Sequence, residues 1–314
     1  MLRYAARRIL LAIVMVWAVA SAAFVLARIA PGDATSPEWQ LSQKTRDAER
    51  HRLGLDRPWP EQYATWLAGA VGLDFGESSL YARPVRSLIG ERAINTAILA
   101  AAALALAALL GVGAGVLTAV RPGTMLARLI RIGSVTLLST PPLIGSLVLV
   151  LIAARTRLVP VGGMSSVDPT SPWADLLQHL IVPALALGLP LAATLERAQS
   201  QALRHGLTQP FVTAALARGA RPEDAIARHA WPVSLGPVLA FYGLMIGALF
   251  SGSLVVEMVT AWPGLGRLMV DALRARDLYL AAGTAAAGAA CLAGGTLIGD
   301  LVHGAIDPRV REAR

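Results

Sequence analysis

Apolar residues in this chain occur in long runs that are separated by shorter polar segments. A helix of about 20 apolar residues crosses a hydrocarbon core of about 30 Å, because each residue adds about 1.5 Å. The chain has six such runs: Ile9–Ala27, Ala93–Val120, Leu126–Ala154, Trp173–Leu195, Leu235–Val256 and Leu280–Val302. The pattern therefore predicts an all-α polytopic membrane protein with six transmembrane helices.

The polar segments divide the chain into four parts. We expect an N-terminal end with the first transmembrane helix at 1–30, an extracytoplasmic segment with short interfacial helices at 31–92, a five-helix core at 93–303 that contains a cytoplasmic loop at 196–234, and a tail at 304–314. A cleaved signal peptide is the alternative for the first run, since small residues occur around Ala20. The run is long for a signal peptide and more spans follow, so we expect an uncleaved helix.

The charges predict how the chain is oriented. The protein is 55% hydrophobic and 15% charged, with a net charge of +8. The excess Arg residues lie in the N-terminus, the turn at Arg121, the loop at 196–234 and the tail, whereas 31–92 holds eight basic and nine acidic residues. Basic segments stay in the cytoplasm, so both termini are predicted to be cytoplasmic. The basic surplus is thus a topology signal and does not indicate nucleic-acid binding.

Prolines and glycines predict how the helices are shaped and packed. Pro141 and Pro142 remove two backbone donors from the third span and should kink it. Small residues allow close approach of helices in a bilayer. We expect this role for Gly111, Gly113 and Gly115 and for the pairs Gly243/Gly247 and Gly295/Gly299.

The stretch 206–237, here called the polar island, separates the fourth and fifth spans. It carries several Arg residues, which are too costly to place in hydrocarbon. Thr208 is suited to an N-cap, Pro210 to a first helical turn and Gly219 to a helix stop, and a second start follows at Pro222. The sequence predicts two short helices that meet at a bend and lie at the membrane surface.

The chain shows no residue set for catalysis. The only Lys, Lys44, follows Ser42 and Gln43, so a GxxxxGK[ST] phosphate loop is excluded. The single Cys291 excludes an internal disulfide, and HExxH, GxSxG and GxGxxG motifs are absent. An enzyme is therefore disfavoured. A self-contained secondary transporter or channel remains an alternative, although few charges lie inside the spans to couple it to an ion gradient.

Several blocks of the sequence are similar to one family of membrane proteins. The chain resembles the dipeptide/oligopeptide/nickel permease family of ABC transporters over nearly its whole length, and its first block resembles the B-type subunit. The blocks are LGLDRPWPEQYATWL (Leu53–Leu67), LDFGESS (Leu73–Ser79), VVE (Val255–Glu257), AWPGLGRL (Ala261–Leu268), Arg276-Asp277 and IDPRVR (Ile306–Arg311). The stretches STPPLIGS and DLYL differ from the residues usual in this family at the same places.

The polar island resembles the EAA-type cytoplasmic loop of such permeases. Thr213-Ala214-Ala215 stands where the family has Glu-Ala-Ala, and Gly219 and Pro237 follow in order. The resemblance implies that these residues, together with Phe211, dock on a separate ATPase subunit. The alternative is an ordinary amphipathic loop at the membrane surface.

The resemblance also implies an architecture and a set of partners. The fold would be the MetI-like fold of ABC importer permeases, in a bacterial cytoplasmic membrane. A second homologous permease would complete the pathway, two ATPase subunits would use ATP and magnesium, and an extracytoplasmic solute-binding protein would deliver cargo. This chain would bind no cofactor directly and no metal. Peptides, nickel chelates, glutathione-like compounds and other solutes all remain open as cargo.

Five residues are candidates for the pathway or for support of its gate: Glu257, Trp262, Pro263, Gly264 and Asp300. Carboxylates inside membranes often mark functional sites, but Glu257 and Asp300 fall at span ends, where pairing with a neighbouring helix near water is the simpler interpretation. AWPGLGRL is compatible with a tight turn or with a re-entrant loop at the extracytoplasmic mouth.

Overall fold

A computed structural model describes residues 2–30, 43–166 and 171–306. The predictions for residues 31–42, for the loop at 167–170 and for the tail beyond Ile306, which includes most of the IDPRVR block, lie outside these ranges. The side chain of Asp300 also lies outside the described set, although its backbone is helical.

The described chain is almost entirely helical. Two strands of two residues each, β1 (Glu77–Ser78) and β2 (Arg83–Pro84), pair in antiparallel orientation and form a hairpin. The helices are α1 (Leu2–Ile29), α2 (Gln43–Arg52), α3 (Trp59–Val71), α4 (Val85–Ala107), α5 (Gly113–Val120), α6 (Met125–Ser139), α7 (Pro142–Thr156), α8 (Pro172–Leu207), α9 (Pro210–Ala217), α10 (Pro222–Ala225), α11 (Trp231–Val259), α12 (Leu265–Arg274) and α13 (Leu278–Ile306). Two π-helical turns, Ala108–Val112 and Ile226–Ala230, join α4 to α5 and α10 to α11.

Long apolar helices correspond to the predicted spans. In the described residues, four helices are long and apolar enough to cross a membrane, and five spans result when one bent pair is counted as a single span. The predicted fifth span, Leu235–Val256, lies within α11, a helix of 29 residues. The fold class is confirmed as an all-α polytopic membrane protein.

The bent pair is the predicted third span. The chain bends by 112° between α6 and α7, and the break falls at Thr140 and Pro141. Pro142 then occupies the first position of α7. A backbone N–H at this position has no partner within the helix, so the missing N–H of proline costs no hydrogen bond. The predicted kink is therefore confirmed.

Helix α8 is longer than the sequence pattern predicts. It continues through Pro183 and Pro190 and ends at Leu207, whereas the apolar run ends at Leu195. Its 36 residues span about 54 Å, which exceeds a hydrocarbon core of about 30 Å. The start of the predicted loop at 196–234 is thus helical, and the last turns of α8 extend beyond the apolar core.

The chain forms two compact units. One comprises Ile98–Trp262 with Gly294–Arg314, and the other comprises Leu2–Ala97 with Pro263–Ala293. In the first unit, α8 is the central helix and packs against α5, α6, α7 and α11.

Glycine allows the closest contact between α8 and its neighbours. A Cβ added at Gly111 would lie 2.5 Å from the Ala192 carbonyl oxygen, and one added at Gly115 would lie 2.6 Å from Gln199 Cβ. The predicted packing role is confirmed for these two residues. Within the described part of this chain, Gly113 makes no such contact, because a Cβ there would meet nothing within 4 Å.

A second glycine contact joins α11 to the end of α13. A Cβ added at Gly243 would lie 2.5 Å from Gly299 Cα. The pairing of small residues expected for these two helices is therefore confirmed at Gly243 and Gly299.

The second unit has an aromatic core between α1 and α3. The Phe24 ring lies 5.1 Å from Trp66 and 5.6 Å from Tyr63, measured between ring centroids. Ser21 Oγ and the Tyr63 hydroxyl are 2.7 Å apart. The amphipathic spacing of Tyr63 and Trp66 therefore seats α3 on α1.

A buried carboxylate fixes the hairpin of this unit to α13. Asp277 Oδ2 accepts hydrogen bonds from Ser78 Oγ at 2.6 Å and from the Leu80 N–H at 3.1 Å, and Oδ1 accepts from the Leu280 N–H at 3.0 Å. Nearby, burial and then the neighbouring Asp271 carboxylate raise the pKa of Tyr81 above its ordinary value. Asp277 thus caps a helix and anchors the hairpin at once.

Helix α12 lies between the fifth and sixth predicted spans, where no helix was predicted. Leu265, Leu268 and Ala272 recur at helical spacing and are all buried. That spacing was the available signal.

We predict that Gly111→Ala destabilises the protein and that Gly113→Ala does not. The added methyl group at Gly111 meets a backbone oxygen, which cannot move away easily, so the cost should be about 1–3 kcal/mol. Thermal unfolding of both purified variants in the same detergent checks this. Equal unfolding temperatures for the two variants would contradict the packing described here.

We predict that Asp277→Ala destabilises the hairpin that contains β1 and β2. Three donors lose their buried acceptor, which should cost about 3 kcal/mol or more. Limited proteolysis across Glu77–Pro84 measures the loss as faster cleavage. The exposed Asp56 is the matched control, and Asp56→Ala should be cleaved at the wild-type rate.

Candidate functional site

The polar island folds into two short helices, as predicted. α9 begins at Pro210, but Gln209 precedes it as the N-cap residue. Thr208 instead ends α8, where its hydroxyl donates to the His205 carbonyl oxygen at 2.9 Å. The predicted N-cap at Thr208 was therefore wrong, because α8 continues up to that position.

Gly219 forms the bend that the sequence predicted. Its φ of 86° lies in the left-handed region, which glycine adopts without strain. The Gly219 N–H donates to the Leu216 carbonyl oxygen at 2.9 Å, and the Ala220 N–H donates to the Ala215 carbonyl oxygen at 3.1 Å. These two bonds satisfy the last carbonyls of α9 and stop the helix in a defined geometry.

The second helix also begins where predicted, at Pro222. Glu223 and Asp224 lie in its first turn, where the helix dipole favours negative charge. Arg228 and Asp224 form an exposed ion pair at 4.0 Å. Such a pair contributes little stability in water, so the position of this segment depends on apolar packing.

The inward side of the polar island is part of one apolar cluster. Val212 on α9 is 2% exposed and Ala215 is 3% exposed. Val212 packs with residues from four other elements, and the cluster comprises Ala119 of α5, Leu203 of α8, Val212 of α9, Ala225 of α10 and Ala230 of the π-helical turn. We call this set the island cluster. It ties the short helices to α5, to α8 and to the π-helical turn that continues into α11.

The outward side of α9 is largely apolar and exposed. Phe211 is 42% exposed, Leu216 is 43% exposed, and Thr213 and Ala214 are also exposed. We call Phe211, Thr213, Ala214 and Leu216 the α9 surface. It brings together three of the residues that the family resemblance singled out.

The remaining predicted loop residues have other positions. Ala215 was expected to meet a partner, but the structure buries it within its own chain, so it seats α9 and is not available at the surface. Pro237 is exposed inside α11 and lies outside the polar island's two short helices. Gly219 is exposed at the bend.

Direct contacts also join α8 to the start of α11. Gln199 Nε2 donates to Ser234 Oγ at 3.0 Å. A Cβ added at Gly206 would lie 3.1 Å from the Ala230 carbonyl oxygen. The two long helices are thus held together at the level where the polar island joins them.

A buried polar cluster lies beside this junction and was missed by sequence reasoning. Thr118 Oγ1 donates to Glu196 Oε1 at 2.7 Å and lies 3.0 Å from Ser200 Oγ, and Arg204 Nη2 donates to the Thr118 carbonyl oxygen at 2.9 Å. Glu196, Ser200 and Arg204 recur every four residues on one face of α8, and that spacing was the available signal.

The pathway candidates are more buried than expected. Glu257 is fully buried near the end of α11, so its side chain is not exposed to water in this chain, and its pairing with a neighbouring helix stays a prediction. Trp262 is also fully buried and packs in a cluster with Leu99, Leu187 and Val256. The ring fills part of the interior of its unit, and a buried aromatic ring removes a large apolar area from water.

The residues after Trp262 form an ordered turn. In the second unit, the Pro263 carbonyl oxygen accepts a hydrogen bond from Asn95 Nδ2 at 2.8 Å. Gly264 is extended and precedes α12, whose Leu265 N–H donates to Thr96 Oγ1 at 2.8 Å. Ala261 has a φ of 53°, a left-handed conformation that non-glycine residues seldom adopt. The geometry corresponds to a tight, hydrogen-bonded turn.

The chain matches two family descriptions that together cover most of its length. Residues 111–312 match "Binding-protein-dependent transport system inner membrane component", and residues 1–88 match the N-terminal region of the same kind of membrane component. The first match contains α8, the polar island and α11.

Curated relatives resemble the chain from end to end. The oligopeptide transport system permease protein AppB of Bacillus subtilis is 31% identical, and OppB of Mycobacterium tuberculosis is 32% identical, each over 99% of both chains. The glutathione transport system permease protein GsiC of Escherichia coli O1:K1 is 31% identical over 88% of both chains.

These matches agree with the helical fold and with the motifs found along the sequence. The chain belongs to the family of binding-protein-dependent transport system inner membrane components, and it is a multi-pass permease subunit of an ABC importer.

Proposed function

We propose that the α9 surface is where this permease docks on a separate ATPase subunit. The observation that supports this most is the division of α9 into two sides. Val212 and Ala215 are buried in the chain, whereas Phe211, Ala214 and Leu216 present apolar atoms to the outside. An apolar surface rimmed by polar residues is typical of an interaction site.

A short helix of this kind suits a groove on another protein. Phe211 supplies a large aromatic anchor, and aromatic residues carry much of the energy of protein interfaces. Ala214 and Thr213 are small enough to let the two backbones approach closely. The hydrogen-bonded C-terminus of α9 at Gly219 fixes the shape of the helix before docking. Little conformational freedom is therefore lost when it docks.

Motion of the ATPase subunits would reach the membrane through the island cluster. Packed interiors transmit displacements because they have few voids. A shift of α9 therefore displaces Leu203 on α8 and Ala119 on α5, and Ala225 and Ala230 carry it to α11. Movement of these helices would open the pathway alternately to the two sides of the membrane.

The assembly would contain four further subunits. We propose a second homologous permease that forms the other half of the pathway, two ATP-binding-cassette subunits, and an extracytoplasmic solute-binding protein. ATP and magnesium would be bound by the ATPase subunits, and this chain would have no ATPase site of its own. Its cargo would be peptides or related small solutes, by similarity to the oligopeptide and glutathione permeases.

We further propose that the polar island, the turn at Arg121 and both termini lie in the cytoplasm, since basic residues are concentrated there. Residues 31–92 would then be extracytoplasmic, and 93–303 would form the permease core. The turn at Trp262, Pro263 and Gly264 would support the extracytoplasmic end of α11. The roles of Glu257 and Asp300 in the pathway remain predictions.

We predict that Phe211→Ala weakens association with the ATPase subunits by about tenfold or more, because it removes an interface anchor. Substrate-stimulated ATPase activity should fall in parallel. Both are measured on the complete transporter, by co-purification at graded ATPase-subunit concentrations and by ATP hydrolysis in proteoliposomes.

The matched control is Phe241→Ala. Phe241 lies on α11, outside the polar island, and is 48% exposed against 42% for Phe211. This variant should retain wild-type ATPase-subunit binding. Unchanged binding and hydrolysis in Phe211→Ala, with normal membrane insertion, would contradict the docking role.

A further inference from the structure

A cavity lies between α6 and α8 in the first unit. Its volume is about 330 Å³, close to the lower limit of ligand pockets, which hold small groups rather than peptides. Two elements contribute its lining: Arg131 and Val135 come from α6, and Glu196, Arg197, Ser200, Gln201 and Arg204 come from α8.

The lining is strongly basic. Three guanidinium groups, those of Arg131, Arg197 and Arg204, face a single carboxylate. Arg131 Nη2 donates to the Pro122 carbonyl oxygen at 2.7 Å, and Arg204 Nη2 donates to the Thr118 carbonyl oxygen at 2.9 Å. Each guanidinium has five donors, so these bonds fix its position and leave further donors for a ligand. The electrostatics therefore favour an anion.

The polar groups beside the Arg side chains indicate a second property of the ligand. Glu196 is 2% exposed, and its Oε1 accepts a hydrogen bond from Thr118. Its Oε2 has no hydrogen-bond partner among the described residues. A buried acceptor of this kind is costly unless a donor reaches it. Because Oε2 has almost no surface open to solvent, a ligand in the cavity does not reach it, and the neutral polar side chains of the lining that can meet a hydroxyl group are those of Ser200 and Gln201.

The surroundings of the cavity indicate a third property. Val135, one helical turn beyond Arg131, forms its apolar end, and the same helix continues with exposed Ile132 and Leu138. The Arg side chains and the apolar surface thus adjoin each other near the end of a membrane-spanning pair. This arrangement fits a molecule with a charged head and hydrocarbon chains.

We propose that this cavity binds the headgroup of phosphatidylglycerol. The phosphodiester would lie against Arg131, Arg197 and Arg204, a glycerol hydroxyl would form a hydrogen bond with the Gln201 amide, and the acyl chains would follow α6 past Val135. Basic pockets between helices at a membrane surface bind anionic lipid headgroups in this way. The site is separate from the α9 surface and does not require it.

The test is lipid binding by the purified full-length chain, followed by native mass spectrometry during titration with phosphatidylglycerol or phosphatidylcholine. We expect tighter binding of phosphatidylglycerol. Arg197→Gln should weaken it about fivefold, the effect expected of one basic residue at a membrane surface. Arg197 is exposed, so its removal should leave the fold intact. The control is Arg128→Gln, on α6 but outside the cavity, which should bind as the wild type does.

Three results would overturn the proposal. One is equal binding of the two lipids, or equal losses in the Arg197 and Arg128 variants. Another is binding of glycerol phosphate as tight as that of the lipid, which would identify a soluble phosphate ester as the ligand. The third is lipid binding by the isolated chain that disappears in the assembled transporter, because the partner permease would then cover the cavity. The first two results are obtained with the isolated chain and do not depend on ATPase docking.

Discussion

The structure depends on the apolar contact between a charged segment and the long helices beside it. The polar island cannot enter hydrocarbon, yet Val212 of α9 is buried against Ala119, Leu203 and Ala230. This packing holds the two short helices in a defined position, because the Arg228–Asp224 ion pair at their surface contributes little stability. A segment that is both outside the membrane and firmly seated is what a permease needs to receive force from another subunit.

Small residues make that contact possible. Gly111 and Gly115 bring the π-helical turn and α5 against α8, and Gly206 brings the end of α8 against Ala230. In a bilayer, helices associate through close van der Waals packing because lipid chains are as apolar as the side chains. The interior around α8 is therefore tightly packed. Because it has few voids, a displacement of α9 is passed on to the helices that contact it.

Much of this fold was predictable from local chemistry. Long apolar runs, the two prolines at the break between α6 and α7, and Gly219 with its left-handed backbone each follow from a physical rule that acts over a few residues. What the sequence did not predict depends on tertiary contacts. The burial of Ala215 and Glu257 and the extension of α8 to Leu207 follow from packing partners distant in sequence.

The most direct test of this account is the distance between α9 and α8 in the assembled transporter, before and after ATP binding. Spin labels at the exposed positions Ala217 and Gln201, which lie outside the α9 surface, in a background that lacks Cys291, measure it by pulsed electron paramagnetic resonance. If the island cluster transmits force, this distance changes by less than about 2 Å, the scale of shifts between packed helices. A larger change would show that α9 swings about its ends without moving α8, and would contradict the account.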